Sequence, residues 1–178
     1  MSGRRTAILA AALALLAAYF AVFEGFSLER PPPDWQRGEK ILACDRGRPN
    51  EIQVSGSRGS VSAKRDGARW QSESSGPYVS EAFADLVEAL CGLPIIDRIE
   101  PGSDPLRLVD FGLEPPFATI EAAGPYGRYT LLIGEPTPAD NLMYVKREER
   151  REIWKVGVAL RSDVEKVITQ ATREGGRS

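Results

Sequence analysis

An uncharged apolar run near the N-terminus constrains this chain more than any other feature. Residues 6–23 (TAILAAALALLAAYFAVF) contain no charged side chain. A helix of that length rises roughly 27 Å, close to the hydrocarbon thickness of a bilayer. Arg4 and Arg5 precede the run, and positive charge on that side predicts a cytoplasmic N-terminus. We expect residues 1–26 to be a cytoplasmic N-terminus and transmembrane anchor. The chain would then be a single-pass inner-membrane protein whose C-terminal domain is periplasmic or extracytoplasmic.

A cleaved signal peptide is the alternative interpretation of this run. Such peptides have a shorter apolar core and end in small residues, whereas this run ends in the bulky sequence YFAVF. The comparison favours an uncleaved anchor. Three consecutive prolines at positions 31–33 follow it, and they favour an extended polyproline segment. Residues 27–38 are therefore predicted to be a spacer between the membrane and a folded region.

The chain has no histidine and only two cysteines among its 178 residues. Ser-His-Asp and Cys-His catalysis are therefore excluded within this chain, as are zinc sites built on histidine or on four cysteines. The 23 basic and 25 acidic residues give a net charge of −2, which argues against a nucleic-acid partner. We expect no catalytic residue, cofactor or metal, and thus no enzyme.

Beyond the spacer, strand patterns alternate with turn signals, and the plan occurs twice. In the first unit, residues 39–94, strand patterns lie at 41–44, 51–55, 60–65 and 69–72, with a hairpin signal at Asp66-Gly67. The second unit, residues 95–172, has strand patterns at 117–122, 128–133, 142–146 and 152–156. Trp70 and Trp154 occupy corresponding strands, which marks them as candidate core residues of an internal repeat.

Each unit ends in an amphipathic helix. Apolar residues at helical spacing follow Ser80 in the first unit and Ser162 in the second, and each serine is a candidate N-cap. They are Phe83, Leu86, Val87 and Leu90, then Val164, Val167, Ile168 and Ala171. The sequence thus predicts an α+β fold, with an N-terminal transmembrane helix and two similar antiparallel strand-meander plus helix units sharing one core. Residues 173–178 are expected to be disordered.

Two further features are candidate sites with two interpretations each. Cys44 and Cys91 either form a disulfide or remain two buried thiols, since spacing alone does not decide. The second feature is a loop composed of Asp110, Phe111, Gly112, Leu113, Glu114, Pro115 and Pro116. It either binds a partner or has a purely structural role, in which a helical turn ends at Gly112 and the prolines lead into the next strand. Glycine and proline at these positions favour the structural interpretation.

The ordered motifs resemble a known bacterial family. They are LRLVDFGLEPP at 106–116, RYTLLIGE at 128–135, MYVK at 143–146 and the DGARW hairpin at 66–70. Together with the apolar N-terminus, this set is similar to the domain of unknown function family 4340. That resemblance implies membrane tethering and an association with ABC-type export systems and gliding-motility-like auxiliary proteins. It supplies no catalytic residues.

The expected function is therefore that of a non-catalytic, membrane-anchored accessory subunit of an envelope complex, bound to a transporter-like membrane protein. Two alternatives stay open. A module that binds glycans or other envelope ligands would expose Trp70 and Trp154 in a concave site. A hydrolase that uses carboxylates alone would need two acidic residues about 5–9.5 Å apart across a cleft.

Overall fold

The computed structural model describes residues 38–42, 44, 47–72, 77–125 and 127–175, without the side chains of 77, 78 and 171–175. These residues belong to one compact unit, Gly38–Ser178. The elements follow the chain as β1 (Glu51–Gly56), β2 (Gly59–Asp66), β3 (Arg69–Ser72), α1 (Pro77–Gly92), β4 (Asp97–Ile99), a 3₁₀ turn (Leu108–Phe111), β5 (Ala118–Gly124), β6 (Gly127–Pro136), β7 (Leu142–Arg147), β8 (Ile153–Gly157) and α2 (Ala159–Gly175).

All eight strands form one antiparallel sheet, in the order β3-β2-β1-β5-β6-β7-β8-β4. The two predicted meanders meet at β1 and β5, which pair along their length from Glu51 opposite Ala123 to Gly56 opposite Ala118. The predicted fold class is therefore wrong. The fold is sheet-rich, with two helices on a single continuous sheet, because pairing of the two first strands fuses the meanders edge to edge.

One face of the sheet, which we call the inner face, packs against both helices. Period-2 alternation directs apolar side chains to this face, including Ile52 and Val54 from β1 and Ile120 from β5. Phe83 of α1 and Val164 of α2 are fully buried in the same cluster. The two helices contact each other as well as the sheet. Burial of these apolar stripes is what makes short amphipathic helices stable here.

The helices begin earlier than the sequence predicts. α1 starts at Pro77 rather than after Ser80, and α2 starts at Ala159 rather than after Ser162. Proline is favoured in the first turn of a helix. Ser80 has a different role, because its Oγ accepts a hydrogen bond from the backbone N–H of Trp70 at 3.1 Å. This contact covers part of the β3 edge, which would otherwise offer an unpaired donor.

Three other segments differ from the sequence predictions. Residues 41–42 and 44 form no strand; only an isolated bridge joins Lys40 to Pro94. β4 was not predicted, and it forms because Asp97–Ile99 pairs with β8. α2 continues to Gly175, into the segment expected to be disordered.

The predicted transmembrane anchor and nearly all of the spacer lie outside the described residues. In the part of the chain that the structure describes, no helix has both the length and the apolar character to cross a membrane. Both helices carry charged residues on their solvent sides, such as Glu81 and Asp85 on α1 and Glu165 and Lys166 on α2. This finding contradicts the prediction of a single-pass membrane protein. The predicted inner-membrane localisation and extracytoplasmic domain are contradicted with it.

The opposite face of the sheet, the outer face, is divided into two halves. Over β3, β2, β1 and β5 it carries polar side chains, among them Gln53, Ser62 and Thr119. The half over β6, β7 and β8 carries residues 101–116, which we call the covering segment. Phe111 of this segment meets Tyr144 of β7, and Phe111 and Leu113 lie close to Gly134 of β6. Leu113 of this segment and Ile153 of β8 are buried, yet neither belongs to the inner-face core cluster. They form a second, smaller apolar layer.

Candidate functional site

A groove of about 580 Å³ opens between the covering segment and the hairpin that joins β7 to β8. One wall is formed by residues 101–106 and 108, and the other by residues 146 and 148–151. The half-buried Leu106 and Leu108 supply apolar surface, and Asp104, Glu148 and Arg151 supply charge. A concave surface with apolar contacts and a few charged groups is the usual form of a binding site.

Lys146 holds the hairpin wall of the groove in shape. Its ammonium group donates to the carbonyl oxygens of Arg147 and Glu148, both at 3.2 Å, and of Arg150 at 2.6 Å. An ammonium group has three N–H donors, so these contacts use its full donor capacity. Lys146 therefore stabilises the turn through the backbone, and its ammonium group has no donor left for a ligand.

Arg147 and Glu149 form a contact of their own. The Nε of Arg147 donates to Glu149 Oε2 at 2.9 Å, and its guanidinium lies 4.1 Å from the centre of the Tyr129 ring. Burial raises the pKa of Glu149, but hydrogen bonds from its own backbone N–H and from Arg147 outweigh burial, so that the pKa lies below the ordinary value. Glu149 is therefore a carboxylate held in an ion pair.

The C-terminal part of the covering segment is the predicted motif loop, and it holds the segment on the sheet. Residues Leu108–Phe111 form one 3₁₀ turn that ends at Gly112, whose φ of 63° lies in the left-handed region. The N–H of Gly112 is bonded to the carbonyl oxygens of Leu108 and Val109. The next residue, Leu113, is buried, and the ring of Phe111 meets Tyr144 edge-on at 5.0 Å. These contacts give the loop a structural role.

The remaining motif residues lie at the surface or lead into β5. Asp110 is exposed and pairs with Arg107 at 3.8 Å. Glu114 and Pro115 are exposed and joined by a cis peptide bond, and Pro116 is half-buried. The loop reaches the sheet closely because β6 has a glycine there: a Cβ added to Gly134 would meet the carbonyl oxygen of Phe111.

The two cysteines form a disulfide. Cys44 and Cys91 have Cα atoms 5.5 Å apart, and the bond joins the segment before β1 to the end of α1. Backbone hydrogen bonds hold the same junction, from the N–H of Ile41 to Leu93 and from that of Leu42 to Leu90. Both cysteines pack on the inner-face core, away from the covering segment. The disulfide fixes the chain where it enters the fold.

The structure places both repeat tryptophans in the core. Trp70 is 7 % exposed and lies 6.1 Å from Phe83 in a stacked arrangement. Trp154 is 2 % exposed, and its indole N–H donates to Glu152 Oε1 at 2.9 Å. Neither ring is available to stack on a sugar, which removes the observation that supported a glycan-binding module.

The described ranges contain no group of three or more cysteine, aspartate or glutamate side chains placed to hold a metal ion. Burial in those ranges is confined to apolar residues, with no buried polar or charged residue. The charged side chains of these ranges are therefore exposed or half-buried at the protein surface.

The groove was not predicted from the sequence, because neither residues 101–105 nor residues 147–151 were identified as candidate site residues. A signal was nevertheless present, because Tyr144 and Ile153 occupy strand positions that alternate with inner-face residues and so face outward. Apolar side chains at outward positions indicate that something covers that part of the sheet.

No family model, no curated protein and no solved structure matches this chain. The resemblance to family 4340, with the transporter association that it implies, therefore stays a prediction.

Proposed function

We propose that this chain is a non-catalytic accessory subunit that acts by binding another protein, and that the partner binds in the groove between the covering segment and the β7–β8 hairpin. The observation that carries this proposal is the construction of the groove. One wall is locked by the three hydrogen bonds of Lys146, and the other is anchored to the sheet through Leu113. Binding surfaces gain affinity from such preorganisation, because little order has to be created when the partner docks.

The composition of the groove supports a protein partner over the alternatives. Its lining contains prolines, leucines, arginines and carboxylates and no aromatic residue, whereas sugar recognition relies on exposed aromatic rings to stack on. Arginine is enriched at the centres of protein interfaces. Glu149 does not suit the acid of a carboxylate hydrolase, because its own backbone N–H and its ion pair with Arg147 outweigh burial and lower its pKa, whereas such an acid needs a raised pKa.

The class of partner is a separate proposal. The resemblance to family 4340 would make it a component of an ABC-type export system or one of its auxiliary proteins. The proposed groove site does not depend on that assignment, because it rests on the residues that line the groove.

Groove-blocking variants test the proposal. Ser103→Trp places a large side chain in the groove lining at an exposed position. Ser62→Trp is the matched control, since Ser62 is exposed on the polar half of the outer face. The tagged full chain and both variants are used for quantitative affinity purification, and a recovered protein is then purified and its Kd for each variant measured.

We expect a partner whose affinity falls at least tenfold in Ser103→Trp and stays unchanged in Ser62→Trp. Equal recovery and equal Kd for the two variants would show that the groove is not the binding site.

A further inference from the structure

Two arginines in the groove stand apart from the other charges of the hairpin. Lys146 is occupied by three carbonyl oxygens, and Arg147 by Glu149 and the Tyr129 ring. Arg150 and Arg151 are exposed, and within the described part of the chain neither has an acidic partner. They are the cations of the groove that are available to a ligand.

Their acidic neighbours are already engaged. Glu149 is paired with Arg147 at 2.9 Å, and Glu152 accepts the indole N–H of Trp154 at 2.9 Å. The carboxylates on either side of the two arginines in sequence are therefore directed into other contacts. A guanidinium presents two parallel N–H donors that match a carboxylate, and such charge-assisted bonds are stronger than neutral ones.

The remaining groove charges limit what kind of anion fits. Asp104 lies on the covering-segment wall and Glu148 on the hairpin wall. A polyanion such as a nucleic acid would meet repulsion from these carboxylates. A separate acidic side chain is compatible with them, because it needs only the space beside Arg150 and Arg151.

The other wall provides an apolar contact a short distance away. Leu106 and Leu108 are half-buried, and Pro101 and Pro105 belong to the same lining. In an extended peptide, alternate side chains point the same way, so one segment can place acidic and apolar residues on opposite walls. Extended segments are a common form of peptide recognition.

We propose that the groove binds an extended segment of a partner protein in which acidic side chains pair with Arg150 and Arg151 and an apolar side chain contacts Leu106 and Leu108. This inference rests on the proposed function, since it names the chemistry of the segment that the groove receives.

Three fluorescently labelled peptides of nine residues test the charge preference. They share their length and leucine positions, and the two positions meant to face Arg150 and Arg151 are both Glu, both Gln or both Lys, with every other position uncharged. Fluorescence anisotropy with the full chain measures their Kd values at low and high salt. We expect the Glu peptide to bind at least tenfold more tightly than the Gln peptide and the Lys peptide to bind most weakly. The advantage of Glu should shrink as salt screens the ion pairs.

Charge reversal assigns the effect to the two arginines. The variant Arg150→Glu/Arg151→Glu should lose the preference for the Glu peptide and bind the Lys peptide more tightly than the wild type does. Arg58→Glu/Arg69→Glu changes the net charge equally at two exposed positions outside this groove and should keep the wild-type order. Arg150→Gln/Arg151→Gln, which adds no new carboxylate, should remove the preference for the Glu peptide over the Gln peptide. Unfolding curves establish that each variant is folded.

Equal binding of the Glu and Gln peptides to the wild type would overturn the inference, as would a Glu preference that survives charge reversal. Failure of the proposed function is a distinct result, because it appears as equal partner affinity for Ser103→Trp and Ser62→Trp. A partner that is lost on groove blocking but shows no acidic preference would leave the function standing and remove only the acidic segment.

Discussion

The two halves of the outer face carry different residues although they belong to one sheet. Over β1 and β2 the outward positions hold Gln53, Ser55, Ser60 and Ser62. The Ser60 hydroxyl is hydrogen-bonded to Gln53 Nε2 at 3.2 Å and to the Ser55 hydroxyl at 3.0 Å. Over β7 and β8 the outward positions include Tyr144, whose ring meets Phe111 of the covering segment, and Ile153, which is fully buried. A face that meets water is built from hydroxyl and amide groups, and a face that meets protein is built from apolar ones.

The difference matters for function because the groove lies on the covered half. Its two walls are the edge of the covering segment and the hairpin beyond that edge. The other half, over β3, β2, β1 and β5, which we call the bare half, has no second layer among the described residues and exposes polar side chains. Loss of the packing between the covering segment and the sheet should therefore damage the groove and leave the bare half unchanged.

The largest expected effect is on the free energy of unfolding and comes from the disulfide, which packs on the inner face of the sheet. The disulfide closes a loop with a sequence separation of 47, and loop-closure entropy for that length corresponds to about 4 kcal/mol. We expect Cys44→Ala/Cys91→Ala to lower the free energy of unfolding by roughly that amount in urea denaturation. Reductant should destabilise the wild type and have no effect on the variant.

The same variant should keep the covered half intact where it remains folded. Nuclear Overhauser contacts between the Phe111 and Tyr144 rings should persist, since both cysteines pack on the inner face. Loss of those contacts together with the disulfide would mean that the two layers are not independent.

The next largest effect on the free energy of unfolding is expected from Leu113, which packs in the covered half of the outer face. Leu113 is 1 % exposed, and leucine-to-alanine changes in cores cost about 2–5 kcal/mol. We expect Leu113→Ala to lower the free energy of unfolding by about 3 kcal/mol and to increase hydrogen exchange in the covering segment. Ser62→Ala on the bare half is the control and should lie within about 0.5 kcal/mol of wild type.

Gly134 tests the close approach of the two layers. A Cβ there would meet the carbonyl oxygen of Phe111 and the side chain of Leu113, so Gly134→Ala should force the covering segment outward. We expect a loss of about 2 kcal/mol in thermal or urea unfolding. Gly102→Ala is the matched control, because a Cβ at Gly102 meets nothing within 4 Å. Equal stability of the two variants would contradict the tight packing of this layer.

Much of the sheet was predictable from its alternation. β1, β2 and β3 and the last four strands follow period-2 patterns that the sequence shows, and the pattern places Ile52 and Ile120 on the inner face correctly. β4 was not predictable, because the three residues Asp97–Ile99 carry no pattern and become a strand only through pairing with β8. The fusion of two meanders into one sheet depends on the β1–β5 pairing, a contact between distant segments that no local pattern encodes.

The candidate site was less predictable than the fold. The 3₁₀ turn before Gly112 follows from local residues, since a positive φ favours glycine. The groove depends on where residues 101–108 pass over the sheet, and these residues have neither helical nor strand periodicity. The role of Lys146 likewise arises only when the hairpin closes and brings three carbonyl oxygens to one ammonium group.

The smallest expected effect is electrostatic and lies where β4 pairs with β8. The ammonium of Lys155 donates to Asp97 Oδ2 at 2.7 Å. This bond, with a second from the N–H of Arg98, lowers the pKa of Asp97 below 3.8. The bond to Asp97 likewise raises the pKa of Lys155 above 10.5.

The signs of these shifts define a pH window for the pair. Because the folded pKa of Asp97 is lowered, its contribution is present above pH 3.8 and is lost as the pH falls through the lowered value. Because the folded pKa of Lys155 is raised, its contribution is present below pH 10.5 and is lost as the pH rises through the raised value. Asp97 is exposed, so we expect Asp97→Asn to cost less than about 1 kcal/mol near neutral pH. The difference between wild type and variant, measured by urea unfolding across the pH range, should vanish in strong acid. A difference that persists unchanged in strong acid would mean that the ion pair between Asp97 and Lys155 is not its source.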